Sequence, residues 1–534
     1  MLKLRKIICL LLVLTLLFAL TACGSKKADD GSISKNFKKN ADGTYDSITI
    51  GASSYLGRFL AGLSPQESFP ACDAVFNTIF LRDAQTKEVY SDILESWTWE
   101  DDTHLVCKLK DGVMFSNGDK ATASDLIFSY YSHDERGSNY LNQMGLIFDE
   151  CEARDELTAV FAFQEPTSVF FDTPIYLIDE KWSREVGWDS EEWYKPVGSG
   201  PYTCTEYVAD DHITLKAKDD YWNKDHGKAV VKQWIIKYYP DANTMFMDLE
   251  VGNIAFCNVE PVDYSRFLKE GGKGYNVVKK TTGSAMVFEY GYLDRPDLWK
   301  EKDLREAIAY AVDWEALAKV ALGDAYIPGY SLVSSESPEY INPGTHEFST
   351  EKAKELLAKH GYDESNPLTL HVYQMDTSTY KKLSESFLYY CGLAGIKVNV
   401  EYGDVSSAIA AWVELGGEDF GFYWNVFGSI AGDIHGTIDT ANDPMGCTWQ
   451  YIDDDHFQEL YNKMLHTSDE AEKTAISKEI QQYVYDETLI IPFAEMSYSC
   501  GYLTDIFTEE QINEYCLNKD YTLIGTLGLE DAWK

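Results

Sequence analysis

The sequence predicts an α/β protein built from more than one domain. Two observations carry this reading. Between residues 303 and 426 the apolar spacing switches repeatedly between helical and strand periods. The chain is also 534 residues long, enough for two to four domains of roughly 100–200 residues, each with its own core. A hydrophobic fraction of 45% is ordinary for a globular protein and excludes a disordered or fibrous chain.

The first segment is a targeting signal. Lys3, Arg5 and Lys6 precede an apolar run from Ile7 to Leu20. That run is shorter than the roughly 20 residues that span a bilayer, so residues 1–22 read as a secretory signal peptide. It ends in Leu20-Thr21-Ala22-Cys23, which resembles the bacterial lipobox; the resemblance implies that Cys23 is lipidated and becomes the new N-terminus. Residues 23–45 are polar, with Gly, Ser and Lys, and read as a flexible tether. The expected location is therefore extracytoplasmic, lipid-anchored to the cell membrane on its periplasmic or outer face.

Past the tether, Ile48-Thr49-Ile50 is strand-like and runs into a loop, Ala52-Ser53-Ser54-Tyr55. Leu105, Cys107 and Leu109 alternate with Val106 and Lys108, giving a strand that turns at Asp111-Gly112, with a second turn at Asn117-Gly118. Thr122 with Asp125 resembles a capping box and opens a helix. Residues 202–217 predict a hairpin around Ala209-Asp210-Asp211. Two helical runs over 303–322 are divided by a cap at Asp313 and closed by Gly323. Helix 351–360, strand 368–374, helix 379–393, strand 396–402, helix 405–415 and strand 420–426 follow. That alternation predicts a mainly parallel sheet with crossover helices, whose ligand-competent positions lie at the carboxyl ends of its strands.

Charge and composition narrow the function. There are 87 acidic residues against 46 basic ones, for a net charge of −41. A nucleic-acid binder must neutralise phosphates with Lys and Arg, so nucleic acid is excluded as a partner. The aromatic fraction of 14% provides rings for stacking on ligands or filling cores. Cys72, Cys107, Cys151, Cys204, Cys257, Cys391, Cys447, Cys500 and Cys516 are odd in number and form no C-x-x-C, so mostly free thiols are expected.

No zinc, nucleotide or hydrolase motif is present, and no cofactor or metal is expected. Asp453-Asp454-Asp455 lacks the alternation of a calcium loop and reads as a solvated helix start. With so many acids, carboxylate pairs suited to glycoside hydrolysis stay open as an alternative.

Three segments together resemble the family 5 extracellular solute-binding proteins, the peptide-binding components of ABC importers. They are Asp111-Gly112-Val113-Met114-Phe115-Ser116-Asn117-Gly118 with Ala123 and Asp125; Pro196-Val197-Gly198-Ser199-Gly200-Pro201-Tyr202; and Leu304-Arg305-Glu306-Ala307-Ile308-Ala309-Tyr310-Ala311-Val312-Asp313. Ile491-Pro492 also fits. Each has an architectural role beside the resemblance: turns, a bend between domains and a packed helix.

The resemblance implies a two-lobed periplasmic-binding-protein-like α/β fold with an extra inserted domain and a hinge between lobes. By analogy lobe I takes 46–70, 196–285 and 495–534, the inserted domain II takes 71–195, and lobe III takes 286–494. The chain would cross between lobes near Thr281–Met286 and Pro492–Met496.

It further implies capture of a solute, by default a peptide, and delivery to permease and ATPase subunits. The ligand contacts it implies are Tyr55 in the first turn, Tyr290 after an interlobe strand, and Trp424, Asn425, Phe427 and Asp433 on a lobe III loop. If Phe427 takes the family's Trp place, Asp433 matches the second Asp of the loop pattern, and Ile430 replaces the first, which pairs with a peptide's α-ammonium. A register starting at Trp424 also fails to match that first Asp. The bland alternative is that Trp424 and Phe427 fill a core. An oligosaccharide or other non-peptide solute, a surface-anchored hydrolase and a sensory receptor stand as alternative functions.

Overall fold

The structure is a computed structural model that describes residues 36–53, 57–59, 69–82, 88–136, 144–167, 170–171, 175–259, 261–270, 274–292, 295–335, 337–403, 422–424, 434, 451–467, 469–514 and 524–533. Its sheets follow the polarity patterns of the sequence. The first contains β1 (Ile48–Ala52), β10 (Gln233–Tyr238), β9 (His212–Ala217) and β8 (Tyr202–Val208), in that order. β1 and β10 are parallel and the rest antiparallel. The β8–β9 hairpin turns where the sequence places it, and Asp210 sits there at φ 56, a left-handed conformation Asp tolerates better than most residues.

A second sheet orders β4 (Leu94–Asp101), β5 (His104–Leu109), β7 (Thr158–Ala162) and β6 (Glu152–Ala153), all antiparallel. Beside it lies a short pair, β2 (Leu81–Arg82) with β3 (Val89–Tyr90). On β5, Leu105, Cys107 and Leu109 are fully buried, as their alternation requires. The helix Ala123–Glu135 covers this sheet, and the Thr122 amide donates to Asp125 Oδ2 at 2.8 Å, one half of the capping box. Gly112 and Gly118 adopt φ 93 and 91, which explains glycine at both turns.

The second half keeps its predicted helices. Lys302–Ala311 and Trp314–Leu322 are separated by Asp313, whose carboxylate caps the Ala316 amide at 2.9 Å. Thr350–Lys359 is capped by Ser349, and Asp455–Leu465 by Asp454. β13 (Thr369–Met375) and β14 (Lys397–Gly403) pair in parallel around helix Ser378–Leu393, a right-sized crossover unit. The expected continuation of this sheet is corrected. β15 (Phe422–Trp424) does not join β14; it pairs antiparallel with β12 (Tyr275–Phe288). Periodicity sets strand character but not partner, and the partner here is the open edge of β12. Residues 405–415, expected as a helix, lie outside the described residues.

The sheet that receives β15 organises the molecule. Its order is β11 (Phe256–Asn258), β16 (Ile491–Leu503), β12, β15. β12 and β16 form a long antiparallel ribbon that leaves one hydrophobic core and enters another. At one end Tyr275, Val277, Cys500 and Tyr502 pack with residues of the β1 sheet. At the other, Ala285–Phe288 and Ile491, Phe493 and Ala494 pack with the helices of the second half, in a core that also takes in the β5 sheet.

Gly198 and Gly200 do more than bend the chain. A Cβ at Gly198 would fall 2.2 Å from the Val75 carbonyl oxygen, and one at Gly200 2.7 Å from that of Ala74. The segment lies against the backbone of helix Phe69–Val75, and only glycine permits that approach. Cys72, Cys107, Cys151, Cys204, Cys257 and Cys391 are free thiols, all buried except the half-buried Cys151, and Cys500 is buried as well. Burial pushes Cys72, Cys107, Cys151, Cys204, Cys257 and Cys391 above the ordinary thiol pKa, so they pack as small apolar groups.

Candidate functional site

The ribbon is regular on both sides of one irregular stretch. Pairing runs from Tyr275↔Leu503 to Thr281↔Ser497 and resumes at Ala285↔Glu495. Residues 282–284 of β12 therefore oppose residue 496 alone, and a second slip follows at Met286/Val287. Extra residues on one strand interrupt the ladder and bend it locally. The interruption falls where the chain passes between the two cores.

A loop segment grips the ribbon at that point. The Glu495 amide donates to the Ile327 carbonyl at 2.9 Å, and the Ser335 amide donates to Glu495 Oε1 at 2.8 Å. Ser497 Oγ donates to the Ala325 carbonyl at 3.1 Å, and Lys279 Nζ to that of Asp324. Gly329 lies so close to β16 that a Cβ there would sit 2.3 Å from the Ala494 carbonyl carbon. Glu495 is 1% exposed, and hydrogen bonding of its carboxylate is what makes such burial tolerable.

β15 brings the candidate ligand segment to the same place. Trp424 pairs with Met286, next to the interrupted stretch. Ile434 is fully buried, and its amide donates to Glu339 Oε2 at 2.9 Å. Ser477 Oγ donates to the same oxygen at 2.7 Å, and Gln481 Nε2 donates to the Glu339 carbonyl at 3.0 Å. Trp424 is thus held by strand pairing and Ile434 by a buried carboxylate.

Of the residues singled out from sequence, Tyr55, Asn425, Phe427, Asp433, Ile430 and Cys23 lie outside the described residues. Trp424 stands beside the crossing by its backbone pairing. Tyr290 is 1% exposed, its hydroxyl donates to the Arg305 carbonyl at 3.0 Å, and its ring packs on Phe288 and Trp299. Its position just past β12 suggested the cleft, but here it fills the core.

Sequence reasoning missed Glu339, Ser477 and Gln481. A signal was present: Ser477 and Gln481 lie four apart on the helix Glu470–Asp486, on the face that buries Ile476, Ile480 and Val484. Polar residues in an apolar stripe ask for a buried acceptor.

The sequence pattern of the bacterial extracellular solute-binding proteins, family 5, matches residues 88–444. The chain belongs to that family. Members of family 5 are extracytoplasmic transport receptors rather than enzymes. The oligopeptide-binding protein AppA of Bacillus subtilis is 27% identical over 387 residues, covering 68% of each chain. DppA of Helicobacter pylori, solved with the peptide STSA, superposes with a TM-score of 0.78 at 19% identity, over 90% of this chain and 97% of that one. AgaA of A. tumefaciens R10, solved with agropinic acid, superposes at 0.76 with 20% identity, over 91% and 98%. These family 5 structures share the two-lobed α/β fold with this chain.

Proposed function

We propose that this protein is the lipid-anchored receptor of an ABC importer, which captures a solute between its lobes and presents it to permease and ATPase subunits. The observation that carries the reading is the interrupted β12–β16 ribbon with Trp424 paired beside it. It supports a hinge between two separately packed cores with a ligand segment mounted next to it. Tyr55, Trp424, Asn425, Phe427 and Asp433 are the residues assigned to the solute, and Cys23 to the lipid. The domain limits implied by the family resemblance are retained in the same spirit.

A peptide is the default solute, in keeping with the oligopeptide-binding relative. Ile430 favours a second reading in which the solute is a blocked or internally read peptide, or a non-peptide such as an oligosaccharide. An aliphatic side chain there cannot pair with a free α-ammonium, and a desolvated ammonium without a partner costs several kcal/mol, roughly. Calorimetric titration of matched free and N-acetylated peptides, beside a panel of oligosaccharides, separates the readings. Binding of the free peptide that acetylation abolishes would mean another carboxylate supplies the anchor. Heat from none of the panel, with hydrolysis of an oligosaccharide instead, would return the hydrolase.

A further inference from the structure

The chain that follows helix Trp314–Leu322 leaves its own core for one residue and then returns. Leu322 and Leu332 pack in the core of the second-half helices, and Tyr326 lies against it. Ala325, between them, is fully buried in the other core, with residues of the β1 sheet. A single turn, Gly323–Ala325, makes this excursion.

Polar contacts fasten the turn on the far side. The Asp324 amide donates to Ser265 Oγ at 3.1 Å, on helix Pro261–Glu270. Tyr264 and Phe267 of that helix are buried in the same core as Ala325. Ser497 and Lys279, which hold the Ala325 and Asp324 carbonyls, both lie on the regular stretch of ribbon that ends at Thr281↔Ser497. Two residues later the Ile327 carbonyl accepts from Glu495, which pairs with Ala285 where the ladder resumes. The backbone from Ala325 to Ile327 is therefore bonded to β16 on both sides of the interruption.

This arrangement has a mechanical meaning. A two-stranded ribbon with an irregular stretch both bends and twists there. An attachment set beside the ribbon and fixed in both cores still permits bending about that line, but it opposes twisting. We propose that residues 323–327 are a splint across the hinge, which confines the lobes to one bending movement. The splint presupposes the hinge of the receptor proposed above, but its test uses no solute, so the two fail separately.

The test is single-molecule fluorescence transfer on the full mature chain, with dyes on keto side chains introduced in place of Met247 and Tyr389. Both positions are 63% exposed, on helices Ala242–Glu250 and Ser378–Leu393, whose buried faces belong to opposite cores. Wild type without solute is expected to give a narrow distribution of transfer efficiency. Ser265→Ala combined with Ser497→Ala removes both hydroxyls and is expected to widen it about twofold or more, as excluded orientations become populated. Ala325→Asp places a charge in a core, drives the turn out and is expected to widen the distribution at least as much. Should that variant fail to fold, the serine pair decides alone. Ser349→Ala removes a helix cap elsewhere in the second half and is expected to leave the width unchanged. An unwidened distribution in the double serine variant, or equal widening by Ser349→Ala, would overturn the splint.

Discussion

Tyr290 shows how a single side chain changes meaning between sequence and structure. Just beyond β12, it belongs to a region where ligand contacts are expected, yet its hydroxyl is already committed to the Arg305 carbonyl at 3.0 Å. Tyr290→Phe should therefore lower unfolding stability by about 1 kcal/mol, the loss of one buried hydrogen bond, and leave solute affinity unchanged. Chemical denaturation beside a ligand titration reads both, and a loss of affinity without a loss of stability would restore Tyr290 to the site. His226 carries a second prediction at this scale. Its Nε2 meets Asp92 at 3.2 Å and its Nδ1 meets Asp531 at 2.6 Å, joining segments far apart in sequence. The hydrogen bond to Asp92, aided by that to Asp531, raises the imidazole to a pKa of about 9. A raised folded pKa stabilises fully below the unfolded value near 6.5 and loses its effect as pH climbs through about 9. The stability gap between wild type and His226→Gln should be on the order of 2 kcal/mol at pH 6 and should close by pH 10. A gap that stays constant over that interval would show that packing, not charge, is what His226 supplies.

At the scale of elements, Ile434 is held by a buried acid, Glu339. Glu339 accepts from the Ile434 amide and from Ser477 Oγ on one oxygen. Glu339→Gln keeps the size but halves the acceptor capacity, and an amide nitrogen turned toward a donor is unsatisfied. A cost of roughly 1–3 kcal/mol is expected, together with weaker solute binding, because the candidate ligand segment loses its far anchor. Equal solute affinity in the variant would detach this anchor from the binding site. Much at this scale was legible beforehand. The caps at Thr122, Ser349, Asp313 and Asp454 act locally, and helix and strand spacing is local too, so the sequence shows them. The partner of β15 was not legible, because a three-residue strand carries no mark of which edge it will join. The Glu339 anchor was hidden for a related reason: its partners lie 95 and 138 residues away along the chain. Gly198 and Gly200 were readable as special positions, but the surface that demands glycine, the backbone at Val75, comes from more than a hundred residues upstream.

For the whole molecule, two packed cores joined by an interrupted ribbon suit a rotation of one lobe against the other. A solute that binds the closed arrangement better shifts the population toward it by no more than its differential affinity. Small-angle scattering should give a smaller radius of gyration with saturating solute than without, and an unchanged radius would exclude closure on that scale. Anchoring is tested separately: Cys23→Ala should leave the protein in the medium or as uncleaved precursor, since firm attachment needs two acyl chains. A variant that remains cell-associated like wild type would remove the lipid from the proposal.

The buried thiols lead to one more consequence, for how this protein can be watched. Cys107 sits in the β5 sheet, Cys391 on the helix between β13 and β14, and Cys257 and Cys500 on adjoining strands where the ribbon enters its first core. A thiol shielded from solvent is alkylated only when its surroundings open, so its labelling rate is a local clock. The native chain thus carries reporters in several regions without any engineering. Mass-resolved alkylation over time would rank those regions by how often each one breathes, and adding solute would show which of the clocks it slows.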